Sequence, residues 1–346
     1  MKRLLIFLIL LVLSAFFLLY WMLFLQNTSE QSVNFVVKPN ERVSELSTRL
    51  EEEGIISNAW IFEKYLIWRK IDRKVKQGQF EVESPVTMVN VAESLNDPKS
   101  KIEKTITIIP GWTIRDIADY FVKEDIASYE EVLDYLGVSA TDYRLGDHDD
   151  LPTKDFMGYK IMQSKPDYIA YDGYLSPNTY RIYADAELSE VVEKLISQRD
   201  REITEQMYSD IEEKDRNIHE ILTMASILEH EARTEEDKRI IADIFWRRLD
   251  MDWALQADST VHYIIGKDGS VFTMQSDRDI DSYWNTYKYP GLPPGPIGTP
   301  SLESIMAAIY PRENDFWYFL TTLDTGEVIY SKTLEEHNKN VAKYLR

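Results

Sequence analysis

Residues 221–249 read ILTMASILEHEARTEEDKRIIADIFWRRL. Apolar residues recur at three- and four-residue spacing throughout, which predicts one amphipathic helical stretch running over about 216–250. At about 100° per residue, with Leu228 set to zero, Ile221, Ala225 and Ala232 fall within about 60° of it. Glu229 lands between Ala225 and Leu222, and Glu231 between Met224 and Ile227. Both carboxylates therefore intrude on the apolar arc, while His230 points away. A helix normally keeps its glutamates off that arc. A buried carboxylate must be paired, hydrogen-bonded or protonated. One reading is a structural ion pair, with Arg233 or Arg239 as partner. The other is a catalytic acid whose pKa is raised from about 4.3 by a partly apolar site. Helical geometry does not choose between Glu229 and Glu231.

Outward from this stretch, the chain has 346 residues and 44% apolar content, enough for two domains with real cores. After Lys2 and Arg3 comes an uncharged run, LLIFLILLVLSAFFLLYWMLFL, from Leu4 to Leu25. Those residues at helical rise cover the roughly 30 Å hydrocarbon core. A cleaved signal would carry a shorter apolar region, about 7–15 residues, ending in small residues. Here the run ends in WMLFLQNTSE, so an uncleaved signal anchor over residues 1–27 is expected. The next basic residue is Lys38, which leaves the rest of the chain outside the cytoplasm. The expected location is the cell inner (cytoplasmic) membrane, single-pass, with a cytoplasmic N-terminus.

There are no cysteines, which excludes disulfides, thiolate metal sites and thiol catalysis. Net charge is −20, and −22 once Lys2 and Arg3 are set aside. A nucleic-acid partner, or an anionic membrane surface, would call for the opposite sign. The partner is expected to be neutral, or bound through hydrogen bonds and stacking.

A strand, a turn with proline and a short helix recur along the first half. FVVKPNERVSELSTRLEEEGI matches ITIIPGWTIRDIADYFVKEDI, with Pro39 opposite Pro110, Val43 opposite Ile114, Leu46 opposite Ile117 and Leu50 opposite Phe121. A weaker third copy is SPVTMVNVAESL, residues 84–95. This is the half-unit of a βααβ module and resembles the LysM type of glycan-binding module, expected over 33–138. Residues 139–171, with the acidic run GDHDDLPTKD, read as a connection. A second domain is expected over 172–346, opening with DGYLSPNTYRI and two long helical stretches, 187–212 and 216–250. The expected class is α+β: a transmembrane helix, a LysM-like βααβ region, then a mixed α+β domain.

ASILEHEA (225–232), LQADSTVHY (255–263), WNTY (284–287), GLPPGPI (291–297) and YSKTLEEHNKNV (330–341) together resemble the endolytic murein transglycosylase family, the MltG or YceG-like group. The order of anchor, LysM-like region and catalytic domain is also that family's. The resemblance implies non-hydrolytic cleavage within peptidoglycan strands, between N-acetylmuramic acid and N-acetylglucosamine, leaving 1,6-anhydro ends. It implies no cofactor. It makes Glu229, first glutamate of the S-I-x-E-x-E motif, the catalytic carboxyl. A single group suffices, because the substrate's own 6-hydroxyl is the nucleophile: Glu229 would donate to the leaving oxygen and then take the hydroxyl proton. Glu231, Gln256, Asp258, Asn285 and Tyr287 take supporting or substrate-binding roles. The stiff loop Pro293–Pro296 is expected to shape the cleft, and His337 and Asn338 to be structural. Partners implied are peptidoglycan strands, the membrane and peptidoglycan synthases, with a role in limiting nascent strand length.

The chain departs from the family pattern at several places. Ser259 stands where proline is usual, Tyr283-Trp284 where proline-tyrosine is, and Thr299 where asparagine is. Asp172, Ser176 and Asn178 replace glutamate, an aromatic and aspartate. Other classes remain. The five histidines, His148, His219, His230, His262 and His337, form no H-E-x-x-H, which disfavours a metalloprotease. A non-catalytic peptidoglycan-binding scaffold is a second alternative. A hydrolytic muramidase is a third, with Asp258 as its second carboxylate.

Overall fold

A computed structural model of the chain describes residues 2–38, 40–97, 100–145, 156–266, 275–322 and 324–345. Pro39, His148 and the run 146–155 lie outside the described residues. The architecture is mixed α+β, as expected. Two compact units form: Met1–Thr105 with Arg181–Ala186, and Ile106–Tyr180 with Glu187–Arg346. The division at 105/106 differs from the expected domain edges at 138/139 and 171/172.

The first unit begins with α1 (Lys2–Tyr20), which continues as a π-helical turn, Trp21–Leu25. Arg3–Leu25 has a mean hydropathy of 2.8 and is long and apolar enough to cross a membrane. The order β1 (Val33–Val37), α2 (Val43–Glu52), α3 (Ala59–Arg69), β2 (Gly78–Val82) follows. β1 and β2 pair antiparallel, with Phe35 opposite Phe80 and their rings stacked at 5.6 Å. α4 (Met88–Ser94) completes the unit. Its core holds Leu46, Leu50, Phe62, Leu66, Met88 and Val91, and Leu23 from the π-helical turn joins it.

The repeat seen in the sequence survives as geometry. Val43, Met88 and Ile114 each open a helix at its first position, and Thr87 and Thr113 cap theirs by accepting from Asn90 N and Asp116 N. A threonine hydroxyl at this place satisfies an amide that the helix itself leaves unpaired. The third helix, α5 (Ile114–Lys123), belongs to the second unit, as does α6 (Tyr129–Leu136). β3 (Glu103–Thr107) pairs with β4 (Thr179–Tyr183), and the division between units falls within both strands.

The two long helical stretches are four helices: α7 (Leu188–Glu202), α8 (Glu205–Glu212), α9 (Ile218–Glu231) and α10 (Glu235–Asp250). Thr204 and Thr234 interrupt them, each extended in backbone and accepting a capping bond from Met207 N or Asp237 N. Each cap starts a new helix where apolar spacing alone runs on. α9 is the centre of the second unit, with Ile221 through Leu228 all buried. It packs against α10, α11 (Asp258–Ile265) and α13 (Leu302–Ile309). A short α12 (Gln275–Arg278), the hairpin β5 (Tyr318–Thr321) and β6 (Val328–Ser331), and α14 (Leu334–Tyr344) complete the order.

Asp172 ties α5 to α11. Its buried carboxylate accepts from Ile114 N at 2.9 Å, Ser139 Oγ at 3.0 Å and Tyr263 Oη at 3.0 Å. Burial pushes it above the usual carboxylate range, and those three bonds oppose the rise.

Candidate active site

A cavity of about 1230 Å³ opens in the second unit, and Glu229, Glu231, Gln256, Asp258 and Tyr287 all line it. The two glutamates leave the last turn of α9 in different directions, as their helical angles require, and meet opposite environments.

Glu229 reaches the N-terminus of α13. Its Oε2 accepts from Ser301 N at 2.8 Å, Ser301 Oγ at 2.6 Å and Ser304 Oγ at 2.6 Å. Its Oε1 meets Lys238 Nζ at 3.3 Å, and Lys238 also pairs with Glu303 at 3.2 Å. Lys238 is almost fully enclosed, its side chain 5% exposed against 12% for Glu229. Burial pushes the Glu229 carboxyl upward, but the serine bonds and the lysine charge outweigh it, and the net shift is downward. This corrects two expectations. The ion-pair partner is Lys238, not Arg233 or Arg239, and Arg239 pairs with Glu235 instead. The apolar site expected to raise Glu229 is instead a polar cradle that stabilises its ionised form.

Glu231 is the last residue of α9, at the end whose peptide dipoles disfavour a negative charge. It accepts from Ser259 Oγ at 2.7 Å. Burial is the main influence and raises its carboxyl to about 7, with the Asp258 charge adding to the rise; the bonds from Ser259 and the charge of Arg248 oppose it. The raised carboxyl sought in the sequence exists, two residues further on.

Asp258 accepts from Tyr287 Oη at 2.7 Å and from Arg278 at 3.2 Å. Gln256 adopts a left-handed backbone, φ 55°, and hands its N–H to Thr286 O. Asn285 is brought near but does not line the cavity. It is fully buried, its amide donating to Arg278 O and Ile280 O while its Oδ1 accepts from Tyr287 N. That arrangement shapes the turn which presents Tyr287.

The proline loop is hydrogen-bonded to α9, and Ile297 at its end lines the cavity. Ile297 N donates to Ser226 Oγ at 2.9 Å, and His219 Nε2 donates to Pro294 O at 2.9 Å. Thr299 is stitched to residues 109–112: its N–H donates to Trp112 O and its carbonyl accepts from Gly111 N, both at 2.7 Å. A Cβ on Gly298 would sit 2.6 Å from the Gly111 carbonyl oxygen, so this contact requires glycine. His337 lines the cavity and stacks on Tyr318 at 5.4 Å.

Sequence reasoning missed Lys238, Ser301, Ser304 and Arg278. Ser301 alone carried a signal: it stands just before an apolar helical run, as an N-cap does. Ser259 was visible only as a departure, and it supplies the hydroxyl that Glu231 accepts.

The chain is similar to known proteins over most of its length. It is 26% identical to the endolytic murein transglycosylase of Streptococcus pneumoniae serotype 2 (strain D39), over 92% of this chain and 59% of that protein. The chain thus spans about three fifths of that relative's length. It is 29% identical to the endolytic murein transglycosylase of Bacillus subtilis (strain 168), over 92% of this chain and 87% of that protein. A crystal structure of a YceG-like protein from Listeria monocytogenes superposes with a TM-score of 0.58 at 30% identity, covering 90% of this chain and 99% of that one. Residues 35–343 match the sequence model of the YceG-like family, and the chain belongs to that family.

Proposed function

We propose that the protein is an endolytic murein transglycosylase that cuts within peptidoglycan strands and leaves 1,6-anhydromuramic ends. The observation that carries this reading is one cavity onto which two carboxyls open, one held ionised and one raised to about 7, on the motif helix of a YceG-like chain. Fold alone would not assign chemistry; the reading rests on these residues and on the relatives' names.

In this reading Glu229 is the catalytic residue. It gains its proton as the glycan displaces cavity water, because burial already acts upward on it and loss of water strengthens that influence. It donates to the leaving glycosidic oxygen as the bond to the muramic C1 breaks. The 6-hydroxyl oxygen then bonds C1, and its proton returns to Glu229. Asp258 and Tyr287, which line the same cavity, bind sugar hydroxyls. A second reading makes Glu231 the acid, favoured by its carboxyl standing near 7 in the free protein.

Further proposals follow the family layout. The apolar N-terminal helix anchors the chain in the cytoplasmic membrane with the rest outside. The β1-α2-α3-β2 order supports a LysM-like glycan-binding region over 33–138 before a catalytic domain over 172–346. Anchoring holds the cavity beside newly made strands, where cutting limits their length and peptidoglycan synthases are neighbours.

The test is digestion of purified peptidoglycan by the full chain in detergent, read by mass spectrometry, beside Glu229→Gln and Glu231→Gln. Anhydro ends lost only in Glu229→Gln are expected. Loss only in Glu231→Gln moves the acid to Glu231. Reducing muramic ends would mean a hydrolase, and binding without cleavage would mean a scaffold.

A further inference from the structure

α3 buries one face and leaves the other bare. Phe62, Tyr65 and Leu66 enter the core of the first unit. Trp60, Lys64, Ile67 and Trp68, at i, i+4, i+7 and i+8, share the opposite face. There Trp60 is 68% exposed, Ile67 47% and Trp68 74%. Two tryptophans and an isoleucine on one exposed helical face form an apolar patch that a water-facing surface does not need.

The charge beside this face runs against the rest of the molecule. Residues 63–77 hold six basic side chains, Lys64, Arg69, Lys70, Arg73, Lys74 and Lys76, against Glu63 and Asp72, in a chain of net charge −20. Lys70, Arg73, Lys74 and Lys76 are exposed. None of those four holds an ion pair among the described residues. Whole-chain charge argues against an anionic surface; this segment reverses the argument locally.

The same unit is fastened to the end of the apolar N-terminal helix. Leu23 lies in its core and Met22 packs against it. Thr28 donates from its hydroxyl to Ile55 O at 2.7 Å and from its N–H to Val86 O at 2.9 Å, and Val86 N donates to Asn27 Oδ1 at 2.8 Å. Ile55 is five residues before Trp60, so chain geometry holds Trp60 within about 17 Å of it. A membrane that contains the N-terminal helix therefore has α3 within reach of its surface.

We propose that the Trp60–Ile67–Trp68 face of α3, with the basic residues 69–76, docks on the anionic lipid surface from which the N-terminal helix emerges. Tryptophan suits the headgroup boundary because its ring is apolar and its N–H polar. Lysine and arginine beside it gain from anionic headgroups. Docking adds a second attachment and fixes the orientation of the first unit on that surface. This rests on the anchoring proposed above, but not on the chemistry.

The cysteine-free sequence allows a direct test in the full chain. Single cysteines at Ser14→Cys and Lys64→Cys carry an environment-sensitive fluorophore. Each labelled protein is placed in nanodiscs of phosphatidylcholine, with or without phosphatidylglycerol, doped with a lipid bearing a nitroxide below its headgroup. The label at 64 is expected to be quenched, by at least about twofold more with phosphatidylglycerol present. Trp60→Ala with Trp68→Ala, or Lys70→Glu with Arg73→Glu and Lys74→Glu, should abolish quenching at 64 and leave that at 14. Quenching at 14 with a water-exposed label at 64 overturns the proposal and leaves the anchor standing. Quenching at neither overturns both. Protection of the label at 64 by soluble glycan fragments, with no lipid quenching, assigns the face to glycan instead and also overturns it.

Discussion

Ser301 gives Glu229 two hydrogen bonds to one oxygen, from its N–H at 2.8 Å and its hydroxyl at 2.6 Å. Ser304 adds a third to that oxygen. Removing a donor from a carboxylate raises its pKa. If Glu229 is the acid, Ser304→Ala moves the alkaline limb of the kcat/KM profile upward by about 0.5–1 pH unit, since that limb reports the essential acid of the free enzyme. Ser259→Ala then leaves the limb in place. If Glu231 is the acid, the limb lies near 7 and the two variants exchange behaviour.

Glu231 also makes a prediction about stability. Its folded pKa, about 7, lies above the unfolded value, so the folded state holds the proton more tightly between the two. Stability therefore falls as pH rises from about 4.5 to 7, and the loss is complete above 7. Glu231→Gln removes this penalty. Denaturant unfolding should find the variant about 1–3 kcal/mol more stable than wild type above pH 7. The difference should vanish below the unfolded pKa.

Lys238 is enclosed between Glu229 and Glu303. Lys238→Met leaves Glu229 without its cation and should cost about 3–5 kcal/mol. Adding Glu229→Gln should return part of that loss. A double-mutant cycle by chemical denaturation is expected to give a coupling of about 1–3 kcal/mol. Additive losses would mean that the 3.3 Å contact carries no energy.

Arg199 is fully buried and donates to Leu175 O, Pro300 O and Glu202 Oε2. It thereby fixes the residue before Ser301. Arg199→Met should destabilise by about 3–5 kcal/mol, because it takes the cation from Glu202, which keeps only its bonds from Ser176 and Gln198, and the donor from two carbonyls. Peptidoglycan cleavage at a temperature where the variant is still folded should also fall, because Ser301 loses its placement. A Tm drop with unchanged cleavage would confine Arg199 to the core.

Some features were legible because they depend on neighbours in the chain. The apolar N-terminal helix follows from a run of side chains, and the strand-turn-helix repeat from spacing that β1–α2, β2–α4 and β3–α5 retain. The breaks inside 187–250 were written locally as well, in Thr204 and Thr234, but the apolar period ran through them and hid them. The intrusion of Glu229 and Glu231 into a buried arc was equally readable, since it needs only the 100° helical step.

What each glutamate does there was not readable. Ser301 and Ser304 lie 72 and 75 residues beyond Glu229, and Ser259 lies 28 beyond Glu231. A carboxyl's pKa sums burial, hydrogen bonds and charges over a few ångströms of space, whatever their distance along the chain. That two carboxylates stand on one buried helix follows from residue spacing alone. Only the packing of α9 against α13 and α11 decided that one is cradled as an ion and the other held near neutrality.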